Sequence, residues 1–527
     1  MGSRNSFVRK IVYLVLIAAL LMPLYWLSKP ATSAAKGEQG SPGGVLAQLR
    51  TDHHLSQSQL GQIDPGSVTV KLAMLGLRGV AANILWEKAN DFKMKKDWTN
   101  FGATLNQITK VQPNFINVWS NQAWNLSYNI SVEFDDFVQR YRWIIKGIEF
   151  LMDGMRYNQH QPRLQWDTGW FISHKIGKAD EAKQFRKLFK EDDDFNGSRP
   201  MAERDNWLVG KKWFEEAVAM VERGDSMLGK GPLLFRSDGP MCQMSYADNL
   251  EKDGTFGEVA KNAWAAAGRE WKRYGTEEIP TSWKNEETQA PIVIRLGEQE
   301  MHEEAARKLV KQMDAMEPGL REKLKAEKRA ALSKVQREAL ETPPEKRTAR
   351  QVELAAQAEA DIDVTHREVA RRLSDKTRKA EALKLAKQAA EHEQLAGYIN
   401  RYRDIVNYTY WRQRAKIEQS DDLLAARQAV HRGDQAYAEG DLVNAKKYYH
   451  RGFEGWRKVL DRYPSMVTDE AANEALTDSI KQYRRVLGQL DEPLPDKFIL
   501  QDVVDAHMRS QGEEPKKKQE ELPDAAK

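Results

Sequence analysis

One cysteine, Cys242, stands among 527 residues. That scarcity excludes an internal disulfide, a zinc site built on cysteines and a Cys-x-x-Cys-His haem attachment. Excess charge of one sign is missing too. Lys and Arg number 81 against 77 Asp and Glu, a formal +4, and acidic residues are interspersed throughout, so no field or basic-aromatic surface for nucleic acid is expected. No Gly-x-Ser-x-Gly elbow, phosphate-binding P-loop or dinucleotide Gly-x-Gly-x-x-Gly opening a helix occurs. Aromatic residues are absent from Lys284 to Gly397, although the chain has 15 Trp elsewhere. What remains is 41% apolar and 30% charged, enough to bury substantial cores and suited to long, solvated helices.

Long apolar runs are also absent, with one exception. "SRNSFVRK" places Arg4, Arg9 and Lys10 directly before an uncharged run from Ile11 to Leu27. At the helical rise this run covers roughly 26 Å, close to the ~30 Å of a hydrocarbon core. Tyr25 and Trp26 fall where an interfacial aromatic belt belongs. Three basic residues upstream, against Lys29 and Lys36 downstream, predict a cytoplasmic N-terminus and a body outside the inner membrane. The alternative is a cleaved signal peptide, for which "ATSAAKG" offers small residues after Ala31. The following stretch to Gly66, rich in Gly, Ser, Gln, His and Pro, reads as a linker, and His53 and His54 within it read as solvated.

Beyond the linker the sequence repeats itself. In "LRGVAANILWEKANDFKMKKDWTNFGATLNQITKVQP", Leu85, Ala89 and Phe92 form one helical stripe and Phe101, Leu105 and Ile108 a second, with a turn at Lys96-Asp97 and a stop at Pro113. "NFINVWSNQAWNLSYNIS" opens another unit with Trp119, Ala123 and Leu126, and a looser one carries Trp166, Trp170, Gly177, Ala182 and Phe185. The clearest is "RGDQAYAEGDLVNAKKYYHRGFEGWRKVLDRYP". There Gly433, Tyr437, the Gly440-Asp441 turn, Ala445, Tyr449 and Gly452 fall where paired helices need small residues for close approach and aromatics to fill the gap to the next pair. Helix pairs of this length resemble tetratricopeptide repeats. The last unit departs from the pattern, because Pro464 comes two helical turns late.

Between Lys284 and Gly397, Ala, Glu, Lys, Arg and Leu dominate. Leu309, Met313, Met316 and Leu320, then Ala355, Ala358, Ile362, Thr365 and Val369, recur at alternating threes and fours. Pro343-Pro344 interrupts them, and a further break is expected at Pro318-Gly319. The reading is a long antiparallel hairpin of coiled-coil type. "QREALETPPEKRTARQ" is similar to a helix-turn-helix segment of large bacterial membrane-associated cytochrome proteins, but without haem cysteines the likeness implies no redox role. Gly224 to Gly257, punctuated by Gly, Pro and Ser, reads as irregular, and the tail past Asp505 as disordered.

One stretch carries explicit metal chemistry. "DDDFNGSRPMAE" would offer calcium Asp192, Asp194, Asn196, the Ser198 carbonyl and a bidentate Glu203, with Gly197 for the sharp turn. Against it, Arg199 and Pro200 follow where an EF-hand needs an apolar residue, and no second loop occurs. The stretch is therefore read as a helix-to-helix connection, with a bracing calcium site as the alternative. Glu298 and His302 share a helix face but complete no metal motif, and Cys242 has no base nearby in sequence. No catalytic residue, cofactor site or metal site is assigned. Most tryptophans are expected as core fillers, and some could line a groove for a peptide or glycan.

The expected architecture is all-α: an N-terminal transmembrane helix, then a tetratricopeptide-like α-solenoid with an inserted long coiled-coil-like helical hairpin. Its expected parts are an anchor over 1–30, a linker over 31–66, an array over 67–290, the hairpin over 291–397, a closing unit over 398–508 and a tail over 509–527. The chain resembles membrane-anchored tetratricopeptide proteins of bacteria, and is similar to bacterial membrane proteins labelled "iron responsive element", a label these residues do not support. The resemblance implies a non-enzymatic scaffold, held in the membrane through residues 11–27, that docks proteins or peptides of the envelope. A metal-dependent or hydrolytic envelope enzyme and a purely structural spacer are the alternatives.

Overall fold

The computed structural model describes residues 2–29, 43–52, 77–227, 229, 231–285, 288–495 and 497–513. His53, His54, most of the expected linker and residues 514–527 of the tail lie outside the described residues. The fold is helical, with one two-stranded sheet among the described residues. The chain divides into two compact units, Met1–Thr255 and Phe256–Lys527.

The first unit opens with α1 (Gly2–Ser28), whose Lys10–Leu27 segment is long and apolar enough to cross a membrane and is not buried against protein. Within the stretch read as linker, Val45–Asp52 forms a short helix, α2. Two packed helices follow, α3 (Arg78–Met94) and α4 (Trp98–Val111). Asp97 caps α4 by accepting the Asn100 N–H, and Leu85, Ala89, Phe101, Leu105 and Ile108 are buried. Then come α5 (Ile116–Trp124), α6 (Phe137–Tyr157), α7 (Pro162–Trp170), α8 (Ala182–Glu191) and α9 (Asn206–Glu222). The stretch 224–257 is not irregular as read: Pro232–Lys252 is one helix, α10. Pro232 sits in its first turn, where its missing N–H costs nothing. Burial of Leu233, Phe235, Cys242, Met244 and Ala247 outweighs the ladder bond lost at Pro240.

The second unit runs α11 (Glu258–Tyr274), a hairpin of β1 (Ile279–Lys284) and β2 (Pro291–Ile294), then α12 (Gln299–Asp314). The strands pair antiparallel with Ile279 opposite Ile294, and Trp283 of β1 stacks on Tyr398 at 4.0 Å. The single long hairpin read over 291–397 is subdivided. Between α12 and α17 (Lys376–Ile405) lie α13 (Leu320–Ala331), α14 (Lys334–Glu341), α15 (Ala349–Ile362) and α16 (His366–Arg372). Gly319 makes the first break with φ +84°, a left-handed conformation that glycine takes without steric cost. Three capping boxes, Ser333 with Gln336, Thr348 with Gln351 and Thr365 with Glu368, start the later helices. The apolar spacing from Ala355 to Val369 runs through the last of these caps, so periodicity alone does not mark the boundary at Thr365. The unit closes with α18 (Tyr408–Glu418), α19 (Asp421–Ala438), α20 (Leu442–Arg462), α21 (Glu470–Gln489) and α22 (Gln501–Ser510). Gly433 and Gly452 are buried between α19 and α20, where an added Cβ at Gly433 would lie 3.1 Å from the Tyr449 ring.

Candidate docking surface on the first unit

Two helices of the first unit widen into a π-helical turn at the same place in a shared motif. After α5 it spans Asn125–Ile130 in "WNLSYNI", and after α7 it spans Phe171–Lys175 in "WFISHKI". In each, the tryptophan stacks on the ring four residues later: Trp124 on Tyr128 at 3.9 Å and 9°, Trp170 on His174 at 3.7 Å and 12°. In each, the serine between them is buried and meets a glycine of the helix packed against it. A Cβ at Gly147 of α6 would lie 2.1 Å from Ser127 Oγ, and one at Gly210 of α9 would lie 3.0 Å from Ser173 Cβ. The serine hydroxyls donate to the Ile144 carbonyl (3.2 Å) and the Gly169 carbonyl (2.7 Å). Rare π turns at matched positions are a recurrent mark of functional segments.

The two turns meet. Phe171 packs edge-on to Trp124 (6.3 Å) and Tyr128 (5.7 Å), and Lys175 Nζ stands 4.4 Å over the Tyr128 ring. Trp166 extends the row by stacking on Trp170 at 5.4 Å while its Nε1 donates to Asp238. Burial raises the Tyr128 phenol, against a lowering hydrogen bond with Trp170. Burial and then the Lys178 charge push His174 down to about 3, so it is a neutral aromatic surface near neutral pH. Trp124 keeps 48% of its surface in solvent despite its stack.

Between α3 and the α5 segment opens a cleft of about 360 Å³. Trp86, Asn90 and Lys93 of α3 line one side, and Asn121, Gln122, Asn125 and Asn129 the other. Asn129 donates to Asn125 Oδ1 (2.9 Å), which orients that amide. Asn90 and Asn121 are exposed. Each carboxamide carries both donors and acceptors, the complement of a peptide group.

The residues singled out from the sequence fall elsewhere. Asp192 caps the turn Asp193–Asn196, its Oδ1 accepting the Phe195 N–H (2.9 Å) and its Oδ2 the Tyr141 hydroxyl (2.8 Å). Asn196 is buried, donating to the Phe189 carbonyl (2.6 Å) and accepting from Arg199 (2.6 Å). Glu203 pairs with Lys212 (3.1 Å), and Asp194 is exposed. The loop closes instead around a buried cation of its own: Arg204 donates to Asp193 (2.6 Å), to the Arg199 carbonyl (2.7 Å) and to the Gly197 carbonyl (3.2 Å). Among the described residues no group of three or more His, Cys, Asp or Glu is placed to hold a metal ion. Cys242 is buried, and burial with the Asp238 charge raises its thiol well above the usual range. Glu298 and His302 lie 4.0 Å apart on one face, but the closer partner of His302 is His392 at 2.8 Å, a contact no spacing rule predicts. The repeated Trp-x-x-Ser was the signal in the sequence for the π turns; nothing there announced that the two would touch.

In comparisons with known proteins, no family model matches this chain and no curated protein is similar to it.

Proposed function

We propose that this protein is a membrane-tethered docking scaffold, built like the bacterial tetratricopeptide-type proteins it resembles. In this reading α1 crosses the inner membrane once, with the N-terminus in the cytoplasm and the body in the extracytoplasmic space. The first unit takes an extended segment of a partner protein. The observation that carries the reading is the asparagine-lined cleft on the α5 segment, which also carries the half-exposed Trp124 stacked on Tyr128. Aromatic faces supply contact area at low entropic cost and carboxamides pair with a peptide backbone, a combination suited to holding an unfolded stretch of chain. A photo-crosslinking residue at Asn121 is expected to trap a specific partner in intact cells, and Trp124→Ala is expected to reduce the yield by about tenfold, as loss of an interface aromatic anchor does. A crosslinking pattern identical with and without Trp124 would exclude this surface.

A further inference from the structure

The antiparallel pair of α12 and α17 in the second unit buries mostly alanine, with Met313 and Ile399 as its two larger buried apolar side chains. Ala306, Ala382, Ala386, Ala389 and Ala396 are all buried along or beside it. Each alanine removes little apolar area from water, so polar contacts across the seam add to what Met313 and Ile399 contribute. One is insensitive to acid near neutrality: Arg403 donates to the Leu296 carbonyl (2.6 Å) and, in a fork, to Glu300 (2.7 and 2.9 Å).

Two others depend on imidazole nitrogens that carry no proton. Midway along the seam, Nδ1 of His302 lies 2.8 Å from Nδ1 of His392. One must donate and the other accept, so at least one ring is neutral. Further along, His366 at the start of α16 has Nε2 2.9 and 3.0 Å from the Glu393 carboxylate oxygens of α17. Its Nδ1 lies 3.3 Å from Nη2 of Arg321 on α13. A guanidinium only donates, so Nδ1 accepts and the proton sits on Nε2. Arg321 is held in turn by Asp314 of α12 (2.8 and 2.9 Å) and the Val364 carbonyl (3.0 Å).

We propose that this seam is a proton-operated latch: the His302–His392 contact, which needs one neutral ring, holds α12 and α17 together, and a proton on both rings sets them against each other. The surrounding charges set its direction. Glu298, one turn back on the same face, favours a charged His302, and burial and His392 oppose it; Glu393 and Arg321 face His366 further along. Glu303, Arg307 and Lys311 of α12 line one flanking cavity, and Lys284 of β1, Lys325 of α13, Arg367 of α16 and Lys387 and Glu391 of α17 line the other. For His302, whose side chain is 13% exposed, burial first and then His392 outweigh Glu298 and hold it below the ordinary imidazole range. The opened seam therefore binds more protons than the closed one. The contribution of this pair to closure is full above the ordinary value of about 6.5 and is lost as the pH falls below it. Val310, Asp314, His366 and Glu393 line both flanking cavities, of about 1060 and 1250 Å³.

Hydrogen exchange of the full-length protein in detergent, corrected for the intrinsic rate, tests this at about pH 7.5 and about pH 5.5. Protection in 299–314 and 376–405 is expected to fall about tenfold on acidification, the yield of one ring that stays neutral in the closed seam while the pH lies one unit below its ordinary value of about 6.5. His302→Leu with His392→Leu, apolar and close in volume, is expected to keep its protection within about threefold. Unchanged protection in the wild type, or an equal loss in the double variant, overturns the proposal. Should the leucine pair fail to fold, His302→Gln retains a hydrogen-bonding amide against His392 with one titrating ring fewer, and an undiminished acid loss there overturns it as well.

Discussion

Glycine at 147 is a steric requirement: besides Ser127 Oγ, an added Cβ would meet the Ala123 carbonyl oxygen at 2.8 Å, and that oxygen belongs to a helix backbone. Gly147→Ala is expected to destabilise the first unit by about 1–3 kcal/mol, the usual cost of forcing extra volume into a closed contact. Adding Ser127→Ala should recover part of the loss, because it removes the hydroxyl and leaves the carbonyl. Denaturant midpoints of the three proteins measure both effects, and a neutral Gly147→Ala would show that α5 and α6 are not held at this distance.

At the scale of elements, a loop can match a metal motif in letters and still be organised by a different ion. From Asp192 to Glu203 the chain turns around the Arg204 guanidinium, with the Asp192 oxygens engaged by Phe195 and Tyr141. Calcium at about 1 mM, within the weak range of such sites, is expected to leave tryptophan fluorescence unchanged, with Asp192→Ala as the control. A saturable change that Asp192→Ala abolishes would restore the calcium reading. Helix starts between 333 and 368 make a related point, because three capping boxes begin separate helices, the last within the apolar period from Ala355 to Val369. Here the local hydrogen bonds of serine and threonine decide the boundaries, and the spacing of leucine and alanine decides only the buried faces.

For the whole molecule, the proposed arrangement puts an apolar tether at one end and two helical units in the extracytoplasmic space. Cys242 is buried and its thiol raised, so an introduced surface cysteine reports topology with little background. Glu439, exposed at the end of α19, is a suitable site. Glu439→Cys is expected to react with a membrane-impermeant maleimide on intact spheroplasts. Labelling only after permeabilisation would place the body in the cytoplasm and reverse the orientation inferred from Arg4, Arg9 and Lys10.

The helical class, the apolar segment ending at Leu27, the α3/α4 and α19/α20 pairs and the break at Gly319 are all determined by sequence alone, because each follows from residues near one another along the chain. Helical period, turn chemistry and hydrophobic length are short-range properties, and they survive without knowledge of what packs where. The adjoining π turns, the asparagine cleft shared by α3 and α5, and the meeting of His302 with His392 were decided only by tertiary structure. Each depends on which faces of distant helices come into register, and that register is set by the summed packing of small residues such as Gly147 and Ala306, which no local pattern encodes.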